Sequence, residues 1–189
     1  MGNHTDISIR HLDLSDNFFD LVQAVLLENI LQGNRTGALM KKTGDFQEID
    51  RQYRLQTKWS DQRILIPILF NFFHGIELYL KGVKYLSKVP EKSPDHKLKD
   101  LAIDFKADHP NKILLNEIFE YYIFPDENCP ILNDFYKSNE IVDSSMFYEI
   151  FKYPSNRSFE KTYDFKALKR NHEKGVNFFE KIVDDIDKL

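Results

Sequence analysis

Three side chains in the middle of the chain have the types and spacing to do chemistry: His74, Glu77 and Lys81. Residues three and four apart share one face of a helix. An imidazole, a carboxylate and an ammonium would therefore stand in one column. Two readings fit that column. In the first, His74 is a proton-transfer or anion-binding group, Lys81 supplies positive charge to a phosphate, and Glu77 orients one of the two. Lys152 and Arg157, from a later turn, would add two more cations to the same site. In the second, the column is a solvated helix edge, and Glu77 preceding Lys81 is an ordinary surface pair worth about 0.2–0.5 kcal/mol. Lys81 on the shared face repels a cation, so the column is not read as a metal site.

Other chemistry is thin. The six histidines include none four residues from a second strong metal ligand. The single Cys129 has no partner, which rules out an internal disulfide framework and fits a reducing cytoplasm. There is no P-loop, G-x-G-x-x-G, H-E-x-x-H or G-x-S-x-G motif. No catalytic residue, metal or cofactor is assigned on this basis. His172 falls on the apolar stripe of the last predicted helix, where a buried, hydrogen-bonded histidine is the simpler reading.

The element that must position the column is the stretch Asp61–Lys88. Ser60 is placed to cap it, and Asp61 suits the positive end of its dipole. Pro67 predicts a kink or a fresh helical start. Ile64, Leu65, Ile68, Leu69, Phe72, Phe73, Ile76, Tyr79, Leu80, Val83 and Leu86 cover more than half the circumference, as in a helix buried on several sides. Gly75 and Gly82, seven apart, lie along one seam. Glycine costs about 1 kcal/mol inside a helix, so the pair predicts close approach of another helix. The charges within the stretch make it a poor membrane span.

Around this helix the pattern predicts an all-α bundle, one domain over residues 1–189. Residues 1–14 read as an extended arm or short strand, and Ser15 as the cap of a helix that Gly33 stops. Residues 33–45 read as a loop, and 45–59 as holding a short helix, with Trp59 packed against the start of the central one. Asp95 and Asn111 are placed to cap two further helices, and 130–139 and 144–151 are shorter helical candidates. An irregular or hairpin insertion is expected near 152–163, around Pro154. Phe165, Leu168, His172, Val176, Phe179, Val183 and Ile186 then predict one last amphipathic helix from Asp164. Sixteen Phe and nine Tyr against seven Gly favour aromatic packing, and 42% hydrophobic with 30% charged residues is usual for a soluble domain. A net charge of −4 argues against generic nucleic-acid adhesion. The N-terminus has no apolar signal core, and Asp6 stands where myristoylation wants Ser or Thr. A cytoplasmic protein is expected.

Three segments in order carry a resemblance. His-x-x-Glu-Leu-x-Leu-Lys stands at 74–81 on the long apolar helix. His96-Lys-Leu98-Lys-Asp-Leu101 opens the next helix, and Tyr153-Pro154 precedes the last. Together they resemble the HEPN (higher eukaryotes and prokaryotes nucleotide-binding) family of α-helical bundles, over about residues 60–187. The family includes metal-independent ribonucleases of phage-defence and toxin–antitoxin systems. Their motif is an Arg followed after four to six residues by a His, and it occurs at none of the six histidines here. The resemblance therefore implies a noncatalytic member that binds a nucleotide, RNA or a partner protein. The alternatives are a scaffold or homodimer-forming protein and, behind it, a ribonuclease with a divergent site built on His74 or His172. No membrane partner is expected.

Overall fold

The computed structural model describes residues 2–39, 45–87, 97–124, 129–141, 147–153, 155, 162–169 and 177–189. Eight α-helices stand among them: α1 (Gly2–Leu31), α2 (Phe46–Gln56), α3 (Asp61–Ser87), α4 (Leu98–Asp108), α5 (Ile113–Ile123), α6 (Pro130–Asn139), α7 (Phe147–Lys152) and α8 (Phe178–Ile186). The protein is an all-α bundle with the long apolar helix α3 at its centre. Helix α3 is long and apolar enough to cross a membrane, yet 61% of its apolar window is buried inside the fold, as in the core helix of a soluble protein.

The most extensive contact is between α3 and α1. Here the glycine seam finds its partner. The Ser8 hydroxyl donates to the carbonyl of Gly82 at 2.6 Å, and the Ser15 hydroxyl to that of Gly75 at 2.8 Å. Leu12 lies over Gly82 and Phe19 over Gly75. The two helices run antiparallel, and each Ser–Gly contact stands one heptad on from the last. The same register carries on to Val22 and Ile68, both buried. Because glycine has no side chain, the backbones approach closely enough for a serine hydroxyl to reach a helical carbonyl.

Residues 1–14 are therefore not an arm or a strand: from Gly2 they are the first half of α1. Ser15 is not a cap but an interior residue whose hydroxyl is used on α3. Helix α1 ends at Leu31, and Gly33 (φ 67°) and Asn34 (φ 51°) turn the chain through the left-handed region. Asn34 then does what was expected of Ser60. Its Oδ1 accepts from the backbone N–H of Asp61 at 2.7 Å, while the Ser60 hydroxyl donates back to Thr57. Asn29 donates to both Asn34 Oδ1 and the Trp59 carbonyl, tying the end of α1 to the start of α3. Pro67 is exposed and α3 continues through it as one helix.

The remaining helices close the core. Phe72 meets Tyr122 of α5 edge-on at 4.7 Å, and Phe73 stacks on Phe151 of α7 at 5.8 Å. Phe151 in turn stacks on Phe135 of α6. Helix α2 is capped by Asp45, which accepts from Gln47 N–H, and has no buried residue. Lys112, not Asn111, occupies the cap position of α5, and Asp95 lies outside the described residues. An isolated antiparallel bridge joins Ser155 to Thr162, inside the span where an irregular or hairpin insertion is expected; 154 and 156–161 lie outside the described residues. The last helix is not continuous from Asp164. Lys166–Leu168 form a single 3-10 turn, Lys169 is extended (ψ 141°), and α8 starts at Phe178.

A β-carbon on Gly82 would sit 2.7 Å from the Leu12 side chain and 3.3 Å from its backbone nitrogen. Gly82→Ala gains about 1 kcal/mol of helix propensity against an overpacking cost of roughly 1–3 kcal/mol. Net destabilisation is the expected result in urea denaturation, with part of it recovered when Leu12→Ala is added. A stabilised Gly82→Ala protein would contradict the close seam.

Candidate functional site

Helix α3 brings His74, Glu77 and Lys81 together, on a different flank from the glycines. Lys81 Nζ lies 2.5 Å from Glu77 Oε1, and His74 Nδ1 lies 3.8 Å from Glu77 Oε2. The first distance is a charge-assisted hydrogen bond. The second is too long for one and leaves only electrostatic attraction. Glu77 is 2% exposed and Lys81 5%. The column is therefore not a solvated edge at these two positions, and its apolar neighbours Leu78 and Tyr85 are buried too.

An exposed pair contributes a few tenths of a kcal/mol. A buried one is different, because each charge has lost its water and depends on the other. Lys81 spends its charge on Glu77 inside the protein. A phosphate would have to compete with a carboxylate already in contact, in a place that solvent barely reaches. His74 is the member that reaches solvent, with its side chain 29% exposed. Its ring is met edge-on by Phe18 of α1 at 4.7 Å and stacks on Phe70 at 6.1 Å. Aromatic edges on one side and a face on the other leave the imidazole held by packing.

The structure does not gather the other predicted site residues in the same way. Lys152 is exposed at the end of α7 and makes no ion pair among the described residues. Arg157, His96 and His172 lie outside the described residues. Cys129 is buried and forms no disulfide. Among the described residues no three His, Cys, Asp or Glu side chains converge as metal ligands.

A second buried charge was not foreseen. Asp185 of α8 is 1% exposed and takes three donors: Tyr122 OH at 3.0 Å, Lys181 Nζ at 2.7 Å and Lys188 Nζ at 3.0 Å. Lys181 also lies over the Tyr121 ring at 4.4 Å. Burial first, then the Asp185 charge and hydrogen bond, push the Tyr122 phenol well above its usual 10. Burial and a hydrogen bond with Cys129 raise Tyr121 likewise. Lys181-x-x-x-Asp185-x-x-Lys188 is a helical spacing, and Asp185 falls on the stripe of Phe178 and Ile182, where a carboxylate is out of place. That mismatch was the available signal. With all three donors engaged, Asp185 is a fastening between α8 and α5 and not a free base.

Two concavities flank α5. One, of about 410 Å³, lies between α4 and α5 on a floor of Ala102, Phe119 and Phe124, with Lys106 paired to Glu120 at its side. The other, of about 380 Å³, is rimmed by Tyr121, Lys181, Asp185 and Lys188. Neither is lined by His74, Glu77 or Lys81. No family model, curated protein or solved structure matches the chain.

Lys81→Met should destabilise the fold by roughly 3–5 kcal/mol by taking the ammonium away from buried Glu77, whereas Glu77→Leu/Lys81→Met should recover most of that loss. Equal losses in the single and double variants, read by urea denaturation, would mean the charges do not depend on each other. Tyr122 gives a pH test. Its proton is held more tightly in the folded state than in the unfolded chain, so stability is unaffected by it below pH about 10 and falls as pH rises beyond that. Tyr122→Phe should cost roughly 1.5–3 kcal/mol at pH 7 and show a shallower alkaline decline, by up to about 1.4 kcal/mol per pH unit.

Proposed function

We propose that this chain is a noncatalytic, HEPN-like helical module that binds a partner protein. The observation that carries the reading is the Glu77–Lys81 pair. The two charged groups of the His-x-x-Glu-Leu-x-Leu-Lys stretch are turned on each other inside the bundle, 2% and 5% exposed. The pair lies within α3, and at that burial neither charge is displayed to solvent. Glu77 stands 3.8 Å from His74 Nδ1 and is itself held by Lys81 at 2.5 Å, so it is not placed as the hydrogen-bonded base that a divergent ribonuclease would set on His74. The net charge of −4 also weighs against generic nucleic-acid adhesion. The described surface also displays apolar side chains. Large hydrophobic side chains stand exposed along α1 and on α2, including Leu14, Leu21, Leu31, Phe46 and Leu55. Contiguous exposed apolar surface marks protein interaction sites.

The test has two arms. Purified protein is screened by thermal shift against nucleoside mono-, di- and triphosphates and short RNAs. A ligand at 100 times its dissociation constant would add about 2.7 kcal/mol. No shift is the expected outcome. In the second arm, proteins captured from the source cell are purified one by one and titrated against the chain, and one is expected to bind saturably. A nucleotide or RNA shift that disappears in Glu77→Leu/Lys81→Met would overturn the reading in favour of an anion site on α3.

A further inference from the structure

The inner side of α1 is fully used by the serine seam, Leu12, Phe19, Val22 and Leu26. Its outer side is not. Leu14 and Leu21, 46% and 48% exposed, stand seven residues apart, about 10 Å along the axis. Half-buried Phe18 and Val25 fall between and after them at spacings of three and four, making one continuous apolar edge. Phe18 carries that edge across to His74 and Phe70 of α3. Beside the leucines runs a second heptad series. Asp6, Asp13 and Asp20 are all exposed, and none takes part in an ion pair among the described residues. Two of them directly precede the leucines.

We propose that this edge of α1 is a docking surface for a basic amphipathic helix of another protein. The proposal rests on the partner-protein reading above and adds the partner's chemistry. A helix fits because the apolar anchors and the acids share one seven-residue period, the repeat that a second helix presents along its own seam. A basic partner fits because these exposed aspartates, without an ion pair among the described residues, flank the leucines as charged positions flank an apolar seam, and opposite charges there set partner choice. A second copy of α1 would bring the aspartate series against itself, and like charges in register suppress pairing. An anionic lipid surface or RNA would meet the same repulsion.

The probe is a three-heptad synthetic helix with leucines at its seam and lysines beside them, compared with the same peptide carrying glutamates. Binding is read by fluorescence anisotropy at physiological salt. The lysine peptide should bind and the glutamate peptide should not. Leu14→Ser/Leu21→Ser should weaken binding by at least about tenfold. Asp13→Lys/Asp20→Lys should exchange the preference, so that the glutamate peptide now binds. All four positions are exposed, and circular dichroism confirms that each variant folds. Lysine-peptide binding indifferent to both double variants would overturn this surface and leave the partner-protein reading standing. Failure of the lysine peptide to bind at all would also overturn this surface. A dimer that Leu14→Ser/Leu21→Ser converts to a monomer would give the face to a second copy and overturn the proposal. Binding of a short RNA in place of either peptide would overturn both readings.

Discussion

The structure depends on one close approach, that of α1 and α3 along Ser8–Gly82 and Ser15–Gly75. Two helices separated by ordinary side chains could not place a serine hydroxyl 2.6–2.8 Å from a helical carbonyl. Removing the side chains from one helix allows it, and filling the space with Leu12 and Phe19 from the other makes the contact apolar around a polar centre. Once α1 is laid along that seam, the rest of α3's circumference is free to receive Tyr79, Phe72 and Phe73 contacts from α4, α5 and α7. The central helix is central because its thinnest side is covered first.

The fold uses its buried charges as fasteners. Asp185 collects a phenol and two ammoniums and joins α8 to α5. Asp187, two residues on and exposed, accepts from Gln23 at 2.5 Å and joins the same end of the chain to α1 from the solvent side. Glu77 and Lys81 form a pair within α3 itself. Breaking a buried pair by one partner is costly, while a matched apolar replacement is often neutral. Such pairs therefore add little net stability and a strong penalty for any arrangement that separates them.

Much of this was legible in the sequence, and the gaps have physical causes. The long apolar helix, the bundle class and the meaning of Gly75 and Gly82 follow from periodicity and glycine's cost within a helix. The first half of α1 was not legible because Asp6, His11, Asp13 and Ser15 interrupt its apolar pattern, and a serine before apolar residues looks like a cap. Only the carbonyl of Gly75, sixty positions away, shows otherwise. At the candidate site, the pairing of Glu77 with Lys81 was local and could be read from spacing. Their burial was not local. It depends on what the rest of the bundle lays over that flank, and no spacing rule within α3 reports it. Asp185 was missed for the same reason in reverse: its partner Tyr122 lies on another helix.

The heptad repetition of the seam carries an ambiguity of its own. Ser8 and Ser15 are chemically alike, and so are Gly75 and Gly82, so sliding α1 by seven residues would again set a serine on a glycine. Such a slip would keep one of the two Ser–Gly contacts and lose the other, so the seam itself favours the observed alignment by one contact. It is reinforced at the other end, where Asn29 donates to the Trp59 carbonyl and Asn34 accepts from the first amide of α3. A one-heptad slip would tear both asparagines from their partners and leave the start of α3 unsatisfied in the interior. The turn at Gly33–Asn34 thus adds a second, polar check on the alignment that the two serines already favour.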